Sequence, residues 1–319
     1  MDGALSGRVA LVAGATRGAG RGIALALGEA GATVYCTGRS SRQAPRPPRP
    51  TDASPFELRG RPETIEETAE QVSELGGTGI AVRIDHTDEI QVEALMARIE
   101  RDEGCLDVLV NDVWGGDALT EWGVPFWELD LGKGRTMLER GLLSHLITSA
   151  YAARSMVSAG SGLIVEVTDG ELLDYRGTLF YDLVKVGTIR AAHAMAEELR
   201  PHGVAALAVT PGFLRSEAML EHFGVSDDTW RDAVAIDLNF VHSETPRFLG
   251  RAVASLAADP DVLQRSGGVW SSWGLARDYG FCDLDGARPD WGAHAARRPF
   301  GRAAREAHRR FVAAFDDDR

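Results

Sequence analysis

From Arg8 onward, short runs of apolar, often β-branched residues alternate with longer stretches in which apolar positions recur every three to four residues. Unbroken apolar runs suit strands buried on both faces, and the helical-period stretches between them suit helices covering those faces. The pattern predicts strands near Val9–Ala13, Thr33–Thr37, Gly79–Asp85, Asp107–Asn111, Leu163–Thr168, Ala205–Thr210 and Gly268–Ser271. It predicts helices over Gly20–Ala30, Glu63–Leu75, Glu89–Arg101, Thr136–Val157, Tyr181–Leu199 and Thr245–Ala258. Seven strands with helices between them describe an α/β chain built on one doubly wound parallel sheet.

Two stretches break the alternation. Ser40–Pro62 holds six of the thirteen prolines and five arginines, so it is expected to be an irregular surface excursion at residues 40–62. After about Asp283 the strand pattern stops and Arg, Asp and Ala dominate, with Arg302–Phe315 the one helical candidate. The expected organisation is therefore one domain over residues 1–282 and a C-terminal extension over 283–319.

Composition narrows the classes further. With 44% hydrophobic and 25% charged residues the chain has an ordinary globular balance. A net charge of −13 argues against a nucleic-acid partner, because phosphate backbones are held by clustered cations. No apolar stretch approaches the roughly 18 residues of a membrane helix, so no membrane partner and a cytoplasmic location are expected. Cys36, Cys105 and Cys282 are too widely spaced for a disulfide framework or a metal site and are expected to be free, buried thiols. His86, His145 and His193 show no metal-ligand spacing either and are expected to be structural.

The first strand runs straight into Gly14-Ala15-Thr16-Arg17-Gly18-Ala19-Gly20 and then a helix. Glycines let a backbone approach a pyrophosphate, and a helix N-terminus offers unpaired N–H groups and a positive dipole end. A plain tight turn would use the same glycines. The spacing Gly-x-x-x-Gly-x-Gly, followed in order by Asp85, Asn111-Asp112-Val113-Trp114-Gly115-Gly116, Tyr181-x-x-x-Lys185 and Pro211-Gly212, resembles the short-chain dehydrogenase/reductase family over roughly residues 6 to 275. In one member the likeness extends through Leu275–Gly280.

The resemblance implies a Rossmann-type fold, an NAD(P)-dependent oxidoreductase and a homo-oligomer, dimer or tetramer. It implies no catalytic metal. On the cofactor side it implies roles for Gly14, Thr16, Arg17, Gly18, Gly20, Asp85, Asn111, Lys185, Pro211, Gly212 and Ser216, and a substrate lid near residues 213–243. An acid at the end of the second strand would select NAD(H) through the ribose hydroxyl. This chain has Thr37-Gly38-Arg39 there, and Arg39, Arg42 and Arg17 favour NADP(H), unless Arg39 and Arg42 merely solvate the start of the proline-rich loop.

Tyr181 and Lys185 are four apart and share a helix face. A nearby ammonium and a positively charged nicotinamide would stabilise the phenolate of a tyrosine whose ordinary pKa is about 10. The family's serine position, about a dozen residues earlier, falls on Asp169, with Thr168 just before it, and the family's helix asparagine falls on Glu139. Three readings follow: Thr168 supplies the missing hydroxyl; Asp169 does the serine's work, which when ionised suits an amine or iminium substrate; or the hydride chemistry has been lost.

Trp114, Trp122, Phe126 and Trp127 crowd the segment after the fourth strand, at the sheet end where open α/β folds bind ligands. Trp114, Trp122, Trp127 and Phe213 are candidate substrate contacts, with ordinary loop packing the alternative. The expected function is NADPH-dependent reduction of a carbonyl or imine of a small, aromatic or bulky organic molecule. A dinucleotide-binding sensor and a non-redox lyase or dehydratase are the alternatives.

Overall fold

The computed structural model describes residues 3–44 and 47–315, so Pro45 and Arg46 of the insertion and residues 316–319 of the extension lie outside the described residues. In chain order the strands are β1 (Val9–Ala13), β2 (Thr33–Gly38), β3 (Thr78–Arg83), β4 (Val108–Asn111), β5 (Gly162–Val167), β6 (Val204–Thr210), β7 (Phe213–Leu214), β8 (Ser243–Glu244) and β9 (Val269–Ser271). Seven of them form one sheet in the order β3-β2-β1-β4-β5-β6-β9, while β7 and β8 pair separately. Every ladder is parallel, as the apolar runs require.

Alternation within β1 divides the interior. Ala10 and Val12 join one core cluster with Leu27, Val34, Val110 and Leu207. Val9 and Leu11 join the opposite one with Ile84, Leu109, Met156 and Ile164. Both faces of the sheet are thereby buried. In the register, Ala13 stands beside both Thr37 of β2 and Asn111 of β4, so three chain exits lie together where the strand order reverses. A crevice at that reversal is where such sheets bind ligands.

The helices are α1 (Gly18–Glu29), α2 (Ile65–Glu74), α3 (Glu89–Glu103), α4 (Leu131–Leu138), α5 (Ser144–Ala159), α6 (Leu179–Leu199), α7 (Glu217–Phe223), α8 (Pro246–Ala258), α9 (Ser272–Tyr279), α10 (Trp291–Arg297) and α11 (Pro299–Ala313). The helix expected over Thr136–Val157 starts earlier, because the Asp130 carboxylate accepts from the N–H groups of Gly132 and Lys133 and offsets two poor helix formers, Gly132 and Gly134. α4 passes into α5 through a π turn over Glu139–Leu143.

The extension holds two helices where one was expected. Asp290 caps α10 through the Ala293 N–H at 2.8 Å, and Pro299 opens α11 at a position that needs no N–H partner. Among the described residues, 44–62 contain no helix or strand. Arg49 and Arg61 of this insertion both reach Glu221 on α7, at 2.6 and 3.0 Å. The segment from Phe213 to Ser243 is likewise ordered by its own small core of Leu220, Trp230, Ala233 and Phe240.

Candidate active site

A cavity of about 1200 Å³ opens along the C-terminal edge of the sheet. One end of it is the β1–α1 turn. Gly14 has φ +94°, and a Cβ there would lie 2.5 Å from the Asp112 carbonyl; one on Gly20 would lie 2.3 Å from the Gly14 carbonyl. The turn therefore closes only on glycine. Gly14, Thr16, Arg17 and Gly18 line the cavity, together with Arg39, Asp85, Pro211, Gly212 and Ser216.

The chain itself reveals what this end attracts. Glu217 of α7 accepts from the Gly18 N–H at 2.8 Å and lies 3.6 Å from Arg21, a carboxylate seated on the first residue of α1. A positive helix end and its N–H groups attract anions, and here Glu217 supplies one. Arg39 lies 3.4 Å from Asp85, and Asp85 is held below the usual carboxylate range: its bonds from Thr87 and Arg39 outweigh the upward pull of partial burial. Arg17 is mostly buried and pairs with Glu63 at 3.3 Å, and burial lowers its pKa. Arg42 turns away to Glu70, outside the cavity lining.

Asn111 does not reach the cavity. It is fully buried and donates to Glu166 and Ser149, both at 2.8 Å. Glu166, in the middle of β5, also meets His145 Nδ1 at 2.7 Å, while His145 Nε2 lies 2.9 Å from the Val113 carbonyl. This network ties α5 to the segment that presents Asp112 and Trp114. His86 is structural too, bonded to Thr37 and Thr148 at 2.8 and 2.9 Å and pushed down to about 3 by burial. His193 lies 3.4 Å from the Gly267 carbonyl. Cys36 is buried, whereas Cys105 and Cys282 are half-buried, and all are free.

At the centre of the cavity Tyr181 donates to Asp169 Oδ2 at 2.8 Å. Lys185 Nζ sits 4.2 Å over the Trp114 ring and 5.7 Å from the Tyr181 ring. The Tyr181 ring packs against Trp114 and Trp122, with centroids 5.6 and 5.3 Å away. Lowering of the Tyr181 pKa by its ammonium neighbour is not what the geometry delivers. Burial, followed by the charge and hydrogen bond of Asp169, raises it well above the ordinary value. Asp112, fully buried beside Lys185 and the Gly20 N–H, is pushed up to about 7 by burial.

Thr168 is buried and donates to the Lys185 carbonyl at 2.7 Å, so its proton is already committed. Glu139 is exposed and outside the cavity lining, while its neighbour Arg140 lines the wall. The π turn that contains both residues widens the helix and shifts its phase at this point. Trp127 is 73% exposed and packs on Phe126, away from the cavity lining. Phe213 does line it.

Part of the cavity wall comes from the C-terminal extension, which no pattern in the sequence placed there. Trp291, Ala295, Phe300, Gly301 and Ala304 of the extension line the cavity, and Trp291 packs edge-on against Phe213 at 5.7 Å. His308 of α11 accepts from the Leu173 N–H at 3.0 Å, linking the extension to the Asp169 loop. Trp291 and Phe300 gave no signal in the sequence, since two aromatics nine residues apart among Arg, Asp and Ala carry no period. Glu166, by contrast, was visible as a lone acid within an apolar run.

Comparisons with known proteins agree with this fold. A sequence profile described as short chain dehydrogenase matches residues 51–223. Mouse dehydrogenase/reductase SDR family member 1 is 37% identical over 287 residues, covering 88% of this chain and 85% of the relative. Among solved structures, a dehydrogenase from Xanthomonas campestris superposes with a TM-score of 0.70 at 22% identity, covering 90% of this chain and 94% of that one. An NAD(P)-dependent gluconate 5-dehydrogenase from Beutenbergia cavernae, solved with NADP bound, gives 0.63 at 25% identity, covering 84% and 96%. The chain belongs to the short-chain dehydrogenase/reductase family of NAD(P)-dependent oxidoreductases.

Proposed function

We propose that the chain reduces a carbonyl or imine of a small, aromatic or bulky organic molecule, using NADPH in preference to NADH. The observation that carries this reading is the bond from Tyr181 to Asp169, with Lys185 alongside, in a cavity whose far end is an anion-binding glycine turn. Gly14, Gly18 and α1 would hold the dinucleotide pyrophosphate, and Asp85 and Arg39 the adenosine end. Bound there, the reduced nicotinamide supplies hydride.

The protein's own part is proton control and exclusion of water. Burial and Asp169 keep the Tyr181 phenol protonated at neutral pH, which suits the reductive direction, in which a proton is consumed. The Tyr181 hydroxyl, held by Asp169 Oδ2 in the absence of substrate, would give its proton to the substrate oxygen or nitrogen as that group accepts hydride, and the phenolate left behind would regain a proton from solvent. Trp114 and Trp291 line the reacting region with apolar surface, and Trp122, 60% exposed and outside the lining, packs on the Tyr181 ring. Arg39 and Arg140, both on the wall, and the lack of an acid at Thr37-Gly38 support the preference for a 2′-phosphate. Exposed Leu143, Leu146 and Leu183, on the π turn, α5 and α6, support assembly into a homo-oligomer, and three free thiols suit a cytoplasmic location.

The test is incubation with NADPH or NADH and a panel of ketones, aldehydes and imines, following nicotinamide absorbance. Consumption with at least one substrate, faster with NADPH, is the expected result. Dinucleotide binding without consumption on the whole panel would instead favour a sensor or a non-redox lyase.

A further inference from the structure

The loop between β5 and α6 brings Asp169 to Tyr181, and one buried cation organises that loop. Arg176 Nε donates to the Asp169 carbonyl at 2.6 Å and Nη1 to the Asp174 carbonyl at 2.9 Å. Nη2 donates to the carbonyls of Gly170 and Leu172 at 3.2 and 2.8 Å. The Arg176 side chain is only 6% exposed, and its nearest carboxylate is that of Asp174 at 3.7 Å. Its own backbone N–H donates to Asp182, one residue past Tyr181, at 2.9 Å. Gly170 has φ +76°, and a Cβ there would lie 2.9 Å from Nη2, so the backbone is wrapped tightly around the guanidinium.

A buried guanidinium is unfavourable unless its donors are met, and here backbone carbonyls meet them. The shape of the loop and the presence of Arg176 therefore depend on each other. The groups that act on Tyr181 are Asp169 from this loop and Asp117 from the segment after β4, which raise its proton affinity, and Arg176, which lowers it. Lys185 stands one turn along α6.

We propose that Arg176 is a positioning residue, whose guanidinium sets the shape of residues 169–174 and so places Asp169 on the Tyr181 hydroxyl. This rests on the reading of Tyr181 and Asp169 as the reaction centre. Nothing in the family motifs points to it, because its role is expressed through backbone carbonyls.

The test compares the full-length wild type with Arg176→Ala and Arg176→Lys. Arg176→Ala is expected to lose kcat by at least about tenfold, since a misplacement of about 1 Å can cost a hundredfold, while NADPH affinity stays within about twofold. Added guanidinium ion should restore part of that kcat and methylammonium should not, because only the planar ion meets the four carbonyls. The low-field proton signal of the Tyr181 hydroxyl, identified by its absence in Tyr181→Phe, should vanish in Arg176→Ala and return with guanidinium. Wild-type kcat in Arg176→Ala, or a loss that guanidinium cannot restore and that NADPH affinity follows, overturns the proposal. If Arg176→Ala does not fold, Arg176→Lys decides: lower kcat at unchanged KM and NADPH affinity supports it, and wild-type kcat overturns it. A wild type inactive on every substrate would sink the reductase reading alone, since the hydroxyl signal still reports on Arg176.

Discussion

The two ends of the cavity are built on different principles. At the β1–α1 end, where we propose the cofactor binds, the lining is largely backbone: a glycine turn and the start of α1, with arginines farther out. At the substrate end it is side chains gathered from distant parts of the chain, with Tyr181 from α6, Asp169 from the preceding loop, Trp114 from the segment after β4 and Trp291 from the extension. A backbone site demands little beyond small residues at fixed spacing, so one local motif specifies it. A side-chain site can be altered one residue at a time, and here it is an aspartate, Asp169, that meets the Tyr181 hydroxyl.

Four variants would break or sharpen that contrast. Tyr181→Phe is expected to lower kcat by about 10²- to 10⁴-fold, the usual worth of a positioned acid, and to leave NADPH affinity unchanged; fluorescence titration beside steady-state kinetics checks both. A parallel fall in affinity would mean that the two ends are not separable. Gly20→Ala should act in the opposite sense. With its Cβ 2.3 Å from the Gly14 carbonyl the turn must open, and NADPH affinity should drop by about tenfold or more even where substrate still binds.

Asp169→Ser tests the aspartate itself. It should slow turnover of imines by about tenfold and spare or raise that of simple ketones, because an ionised carboxylate cannot donate to a carbonyl and a serine can. Equal losses on both substrate classes would remove any special role for the acid. The smallest effect is on stability. Glu244 is fully buried, accepts from the Gly212 N–H at 2.9 Å and from Ser272 at 2.7 Å, and is pushed up to about 8 by burial. Between the unfolded pKa of about 4.3 and that value the folded state binds the proton more tightly, so stability falls as pH rises through the window. Urea midpoints of Glu244→Gln at pH 5 and 8 should differ less than those of the wild type. Some slope should remain, because Asp112, raised to about 7, contributes with the same sign.

Much of this organisation was legible in the chain. The apolar runs at β1 and β6 are buried at every position, and Tyr181 and Lys185 meet one cavity because a four-residue spacing keeps them on one face. Other assignments failed where a local pattern met a tertiary constraint. Glu139 was read on a regular helix, but the π turn shifts the phase and leaves it exposed with Arg140 on the wall. Asn111 was assigned to the cofactor; Glu166 claims it instead, from 55 residues away. The short helix α10 gave no signal because its seven residues lack an apolar stripe.

The sequence by itself determined the parallel sheet, the glycine turn after β1 and the Tyr181–Lys185 pair, since periodicity and short spacings act through the backbone geometry of neighbouring residues. Only the tertiary structure decided what surrounds that pair. Asp169 rather than Thr168 meets the phenol, Arg176 is sunk among carbonyls, and the extension closes the far wall, because each depends on which side chains a folded core brings within about 3 Å and how far it dries them.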